Sequence, residues 1–155
     1  MANYSGPLVS PGFKRQIHDQ ILVPLTHVES GEFTASANGI PLGAPRVAGK
    51  VSDVWLSVGA SGKDDSNTLS LTADVQINGT TCLTTQPIIA HVSGEASTNK
   101  TTKESGDTGV TQAVVSQSAN SVSAGDMLTC NLTLTRTASP TTEMANAAIV
   151  VEFTR

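Results

Sequence analysis

The stretch that decides the fold covers residues 68–85 and reads TLSLTADVQINGTTCLTT. Between residues 69 and 77, apolar side chains occupy every second position, which is the pattern of a β-strand with one buried face. Asn78 and Gly79 then interrupt the alternation. This dipeptide is the strongest short-range signal for a two-residue hairpin turn, because both residues tolerate the positive φ that a type I′ turn requires. The stretch therefore predicts a strand, a tight turn and a return strand.

Similar alternation recurs outside this hairpin. It appears in VSDVWLSVG (51–59), VTQAVVSQ (110–117), MLTCNLTLTRT (127–137) and AAIVVEFT (147–154). Polar loops separate these runs, and no stretch longer than about ten residues has helical periodicity with caps. The 20 threonines and 17 serines suit strands and turns. We therefore predict an all-β fold, an antiparallel β-sandwich or barrel.

The 155 residues suit a single folded domain, but the first 45 differ from the rest. Five prolines and five glycines punctuate them, and each proline removes a backbone donor and favours extended neighbours. We expect an extended arm or loop segment over residues 1–45 and a β-sandwich domain over residues 46–155. The arm is either laid over a partner or folded as loops against the body.

Charge and hydropathy exclude several classes of partner. The formal net charge is −4, and the nine basic residues are dispersed, apart from the pair Lys14–Arg15. Nucleic-acid binding requires clustered basic side chains, so we expect no nucleic-acid partner. No run approaches the ~20 apolar residues of a membrane span, and the N-terminus lacks the features of a signal peptide. We therefore expect no membrane association, and folding in a cytoplasm.

The two cysteines raise the question of reactivity. With a two-residue turn at Asn78–Gly79, Cys82 lies opposite Val75 and points into the core, whereas a longer loop would turn it outward. Cys130 is in phase with neighbouring leucines and points inward. No histidine, basic residue or helix N-terminus that would lower a thiol pKa stands near either cysteine in the sequence. We interpret both as small buried hydrophobic residues, with no disulfide between them in a reducing compartment.

No catalytic or metal-binding pattern emerges from the remaining polar residues. His18, His27 and His91 lack metal-ligand spacing, and no nucleophile elbow is present. Asp64 and Asp65 could hold a cation weakly, but a solvated loop is the simpler interpretation. We therefore expect no enzyme activity, no cofactor and no metal.

The single tryptophan, Trp55, is out of phase with the buried positions of its strand. It is either exposed in a binding groove, covered by a neighbouring subunit, or packed under the N-terminal segment. Sugar-binding modules usually display several aromatic platforms, and this chain has five aromatic residues in all.

From residue 40 onward the chain resembles a family of virion proteins. The likeness lies in IPLGAPRVAGKVSDVWLSVG (40–59), LTADVQINGTTCLTTQP (71–87), the SGDTG loop (105–109), SVSAGDMLTCNLTLTRTASP (121–140) and AIVVEF (148–153). In these segments it is similar to the small jelly-roll decoration or cement proteins, and related head-fibre modules, on the outside of tailed-phage heads. The resemblance implies a jelly-roll-like β-sandwich, often a homotrimer, that binds between capsomers.

This resemblance leads to two expectations about function. The first is a structural virion protein that binds the major capsid protein on the capsid surface and stabilises the head by bridging its subunits. Our candidate contact residues for it are Phe13, Lys14, Arg15 and Ile17. The second is a receptor- or glycan-binding module of a head or tail fibre, with the loops ASGKDDSN (60–67), STNKTTKESGDTG (97–109) and TASPTTEMAN (137–146) as its recognition surface.

Overall fold

The computed structural model describes residues 24–64, 66, 68–137 and 139–155, and all of its helix-or-strand elements are β-strands. Along the chain they are β1 (Leu25–Glu32), β2 (Ala37–Gly43), β3 (Gly49–Ala60), β4 (Ser70–Ile77), β5 (Thr80–Thr81), β6 (Leu83–Thr85), β7 (Ile88–Ala90), β8 (Lys100–Thr101), β9 (Val110–Thr111), β10 (Val114–Val115), β11 (Ser121–Val122), β12 (Leu128–Thr135) and β13 (Ala145–Thr154). None of these residues belongs to a helix that could span a membrane.

The strands form two antiparallel sheets that pack face to face. The five-stranded sheet has the order β1–β13–β3–β11, with β8 also paired to β3. The six-stranded sheet has the order β2–β12–β4–β7–β9, with β5 also paired to β4, and β6 and β10 form a small ribbon. The predicted all-β antiparallel sandwich is therefore confirmed.

The strand order is jelly-roll-like. Strands β1 to β4 alternate between the two sheets, and the last two strands return between them, β13 between β1 and β3 and β12 between β2 and β4. The two sheets thus roll up together, and the first and last described strands share one core. Hydrophobic periodicity could not provide this order, because it gives the faces of a strand and not its neighbours.

The hairpin forms as predicted. Asn78 and Gly79 have φ angles of 50° and 83°, and Ile77 pairs with Thr80. This register sends Cys82 into the core, where it is fully buried and its N–H donates to the carbonyl of Val75 at 3.0 Å. The alternation in β4 holds along its length, with every second side chain buried.

The core lies between the sheets and is made mostly of aliphatic side chains. Leu56 and Leu71 are fully buried, one in each sheet, and complete burial of such a side chain is worth roughly 1.5–3 kcal/mol. The other large, fully buried side chains are Leu69, Ile89, Leu128, Leu132, Met144, Ile149, Val51, Val54, Val75 and Val151. Strands of both sheets contribute to this set, so each sheet covers the apolar face of the other.

The domain boundary expected at residue 45 does not hold for residues 25–43. Strand β1 pairs with β13 and β2 pairs with β12, so both are edge strands of the sandwich rather than an arm. Phe33 and Ile40 from this stretch join the core, and Arg136 donates to the carbonyl of Thr34 at 3.0 Å. Proline and glycine misled the prediction because edge strands tolerate both residues. Residues 1–23 lie outside the described residues.

Candidate interaction surface

An apolar row crosses the side of the five-stranded sheet that points away from the core. Alternation along β3 and β13 turns Trp55, Ala148 and Val150 outward, and Val28 of β1 is 63% exposed. The register places Val150 beside Trp55 and Ala148 beside Val28. We call this side the outer face, and its side chains are Thr26, Val28, Asp53, Trp55, Ser57, Ala148, Val150 and Glu152.

A charged cluster adjoins the apolar row. The ammonium Nζ of Lys103 lies 4.0 Å from the ring centroid of Trp55, 2.6 Å from Oδ2 of Asp53 and 3.8 Å from Oε2 of Glu152. An ammonium over an indole ring is attracted by the negative face of the ring. We call Asp53, Trp55 and Glu152 the acidic–aromatic site, which in this structure holds the chain's own Lys103.

Strand pairing brings Lys103 to this site. The short strand β8 pairs with β3, and the hydroxyl of Thr102 accepts from the N–H of Leu56 at 2.9 Å. The N–H of Thr102 donates to the carbonyl of Leu56 at 2.8 Å, and the hydroxyls of Ser57 and Thr101 are 2.9 Å apart. Lys103 is the next residue and reaches over the outer face.

The charge of Lys103 is favoured by its neighbours. The hydrogen bond that Lys103 donates to Asp53 raises the pKa of its ammonium, and the negative charges of Asp53 and Glu152 act in the same direction. The ammonium therefore stays protonated at neutral pH. Because Lys103 is exposed to solvent, a competing cation can reach the same carboxylates.

A second polar feature surrounds Lys100, which is only 6% exposed. Its Nζ donates to Oε2 of Glu95 at 2.7 Å and to the carbonyl of Thr108 at 2.6 Å, and lies 3.5 Å from the carbonyl of Ala90. A shallow pocket of about 230 Å³ opens here, lined by Glu95, Ala96, Thr98, Lys100, Asp107 and Thr108. Buried charge is tolerated at Lys100 because each donor direction meets an oxygen.

The cysteines take the positions that the sequence indicates. Both thiols are free and buried, and burial raises the pKa of Cys82 and of Cys130 to about 12, with a smaller contribution from the charge of Asp74. A thiol with such a pKa is a poor nucleophile near neutral pH. The predicted role as buried hydrophobic residues agrees with this geometry.

The histidines, which are the remaining candidate metal ligands, do not form a metal site among the described residues. Nε2 of His27 lies 2.9 Å from Oε1 of Glu29, His91 is buried, and His18 lies outside the described residues. Among the residues that the structure describes, no group of three or more histidine, cysteine or acidic residues could hold a metal ion.

The loop after β3 differs from the expected solvated segment. Asp64 is 2% exposed, and its carboxylate accepts from both the N–H and the hydroxyl of Thr68, at 3.1 to 3.2 Å. Asp64 therefore shapes the return of the chain towards β4. Its neighbour Asp65 lies outside the described residues.

The four candidate contact residues, Phe13, Lys14, Arg15 and Ile17, also lie outside the described part of the chain, and their role stays a prediction. The acidic–aromatic site was not predicted. Asp53 and Trp55 are two positions apart on one strand, which places them on the same face, but Lys103 is 48 residues further along the chain. Only the pairing of β8 with β3 reveals that contact.

No protein-family model, curated protein or solved structure matches this chain.

Proposed function

We propose that the protein is a structural virion protein, a capsid decoration or cement protein that binds the major capsid protein on the outside of a phage head. The observation that carries this proposal is the outer face, where the outward-pointing apolar row from exposed Val28 to half-buried Trp55 adjoins the acidic–aromatic site. Aromatic and apolar centres bordered by polar groups are typical of protein interfaces. A jelly-roll-like sandwich that needs no disulfide supports the same role.

The protein would stabilise the head by mass action. A ligand that binds only the assembled shell raises the stability of the shell in proportion to the logarithm of its concentration over Kd. A homotrimer would bind three shell subunits at once, so that modest contacts combine into strong attachment. In addition to the outer face, our candidate contacts to the shell are Phe13, Lys14, Arg15 and Ile17.

The copy number in purified particles tests the proposal first. We expect an abundance comparable to that of the major shell protein. A handful of copies per particle would indicate a fibre or a vertex instead, and complete absence from particles would contradict a virion role.

Substitution of the outer face then tests the attachment surface. Val28→Lys places a charge in the apolar row and should weaken binding to undecorated heads by at least about tenfold, which corresponds to ~1.4 kcal/mol. The matched control is Thr133→Lys, which introduces the same residue at an exposed position of β12 in the other sheet. Equal binding by both variants would exclude the outer face as the attachment surface.

A receptor- or glycan-binding module of a head or tail fibre is the second candidate. The pocket lined by Glu95, Thr98, Lys100 and Asp107 favours it, because most of its lining residues belong to the predicted recognition loop of residues 97–109 and offer several hydrogen-bonding groups. Calorimetric titration with host surface glycans tests it. Saturable binding that is lost in Asp107→Ala would support this function, and the absence of binding would exclude it.

A further inference from the structure

The described chain begins beside the acidic–aromatic site. The first pair between β1 and β13 joins Leu25 to Val151, and the next step of the same antiparallel register leads from Pro24 towards Glu152. Glu152 in turn pairs with Asp53 on β3. Residues 1–23 are therefore joined to the body at Pro24, about one strand spacing, ~5 Å, from the backbone of Glu152.

The acidic–aromatic site retains unbalanced negative charge. Lys103 forms a close ion pair with Asp53 at 2.6 Å, but its distance to Glu152 is 3.8 Å. The single ammonium of Lys103 thus interacts with two carboxylates, and the carboxylate of Glu152 can accept a second cation.

The composition of the first 23 residues is complementary to that of the outer face. They contain two of the nine basic residues, Lys14 and Arg15, and one of the thirteen acidic residues, which leaves seven basic and twelve acidic residues in the rest of the chain. They also end in the apolar run Ile21, Leu22 and Val23. A basic pair and an apolar run match the two parts of the outer face.

We propose that residues 1–23 dock on the outer face of their own chain, with Lys14 or Arg15 at the acidic–aromatic site and apolar side chains on the row from Val28 to Trp55. The reach is sufficient, because the nine residues from Arg15 to Pro24 span up to about 30 Å when extended. The site lies within about two strand spacings, roughly 10 Å. Short tethers of this kind give effective concentrations in the millimolar range, so weak contacts suffice.

This docking is a property of the free protein and does not rest on the proposed function. Lys14 and Arg15 cannot contact a shell and the acidic–aromatic site at the same time. Attachment to a particle would therefore require the segment to leave the outer face.

Trp55 is the only tryptophan and reports directly on coverage of the outer face. The test compares acrylamide quenching of its fluorescence in the full chain and in the double variant K14Q/R15Q, after circular dichroism has shown that both are folded. We expect the quenching constant of the variant to rise about twofold, as a mostly docked population becomes mostly undocked. The matched control R46Q/K63Q removes two exposed basic side chains that lie outside the outer face and should leave quenching unchanged.

Equal quenching of the full chain and K14Q/R15Q would overturn the proposal. Protection that increases with protein concentration, together with a larger mass in light scattering, would mean that the segment of a second copy occupies the face, which also overturns docking in the same chain.

A nitroxide attached at Ile17→Cys gives an independent readout, because the native cysteines are buried. We expect it to broaden the amide signals of Val150 and Glu152 in dilute protein, and unbroadened signals would count against docking. Both readouts use the free protein. A failure here is therefore distinguishable from absence of the protein from particles.

Discussion

Cys82 and Cys130 lie next to Val75 on opposite sides of β4, and both point into the core. Their raised pKa values follow from burial, which penalises the thiolate because water no longer solvates it. At the scale of single residues, position in the strand alternation therefore sets the chemistry of the side chain.

We predict that neither thiol reacts in the folded protein. With a pKa of about 12, roughly 1 in 10⁴ of each thiol is ionised at pH 8, since each pKa unit is a factor of ten. A thiol-exchange reagent at pH 8 should release no chromophore from native protein and two equivalents after denaturation. Rapid release from native protein would mean that the core around Val75 opens readily.

Lys100 offers a second prediction at this scale. Glu95→Ala leaves its buried ammonium with carbonyl partners only, and should lower the free energy of unfolding by about 2 kcal/mol, less than for a fully buried pair because Glu95 is 30% exposed. The control Glu95→Gln keeps an acceptor without the charge and should cost about half as much. Urea denaturation measures both. Losses below about 0.5 kcal/mol in both variants would mean that the ion pair between Lys100 and Glu95 stabilises the fold no more than an exposed surface contact does.

Some of these residue properties could be predicted from the sequence, and others could not. The inward direction of Cys82 follows from a two-residue turn and a period of two, both of which are local. The contact of Lys103 with Trp55 depends on which strand lies beside β3, and this information is not local. The burial of Lys100 is opposite to the usual preference of lysine, so composition gives no signal for it.

At the scale of elements, side-chain hydrogen bonds link the hairpin turn after β4 to the turn before β12. The side-chain amide of Asn78 donates to Oδ1 of Asp126 at 2.9 Å, and its oxygen accepts from the N–H of Met127 at 3.0 Å. Asp126 also accepts from the N–H of Ser123 at 2.7 Å, and this bond, followed by that from Asn78, lowers the pKa of the Asp126 carboxyl. These hydrogen bonds thus fix the relative position of two turns that are distant in the sequence.

Two substitutions of Asn78 separate its roles. Asn78→Gly keeps the positive φ and loses the side-chain hydrogen bonds, so it should destabilise the protein by about 1 kcal/mol. Asn78→Ala also forces a left-handed conformation on a residue with a Cβ, so we expect about 2 kcal/mol in total. Thermal or urea unfolding measures both losses. If alanine costs no more than glycine, the positive φ at Asn78 contributes nothing to stability.

The Asn-Gly turn could be predicted because two adjacent residues suffice to specify it. Its partner could not, because the hydrogen bonds from Asn78 to Asp126 and Met127 exist only after β4 and β12 have paired. Strand ends were also less predictable than strand centres. The run of residues 110–117 forms β9 and β10, two short strands that pair with different neighbours, instead of one strand.

At the scale of the whole molecule, β1 and β2 belong to the body, and this leads to a prediction about truncation. A chain that begins at residue 24 should fold cooperatively, because it keeps all the described strands. A chain that begins at residue 46 loses two edge strands together with Phe33 and Ile40 of the core, and should be unfolded or insoluble. Circular dichroism and urea unfolding of the two chains test this. Equal folding of both would restore the boundary at residue 45.

The class of the fold could be predicted from the sequence and its strand order could not. Alternation from residue 51 onward marks which face of each strand is buried, and that is enough for a sandwich. The placement of β13 between β1 and β3 depends on the geometry of closing two sheets on one core. The jelly-roll expectation came from a resemblance, and the observed order agrees with it.

The position of β13 also has a consequence for synthesis. It is the last described strand to leave the ribosome, yet it occupies the interior of its sheet, with β1 on one side and β3 on the other. A nascent chain that has not reached residue 145 therefore carries two open strand edges, which can pair with those of other nascent chains. Rapid translation of the final strand then protects the protein from aggregation, and slow codons in this stretch would prolong the period of greatest risk.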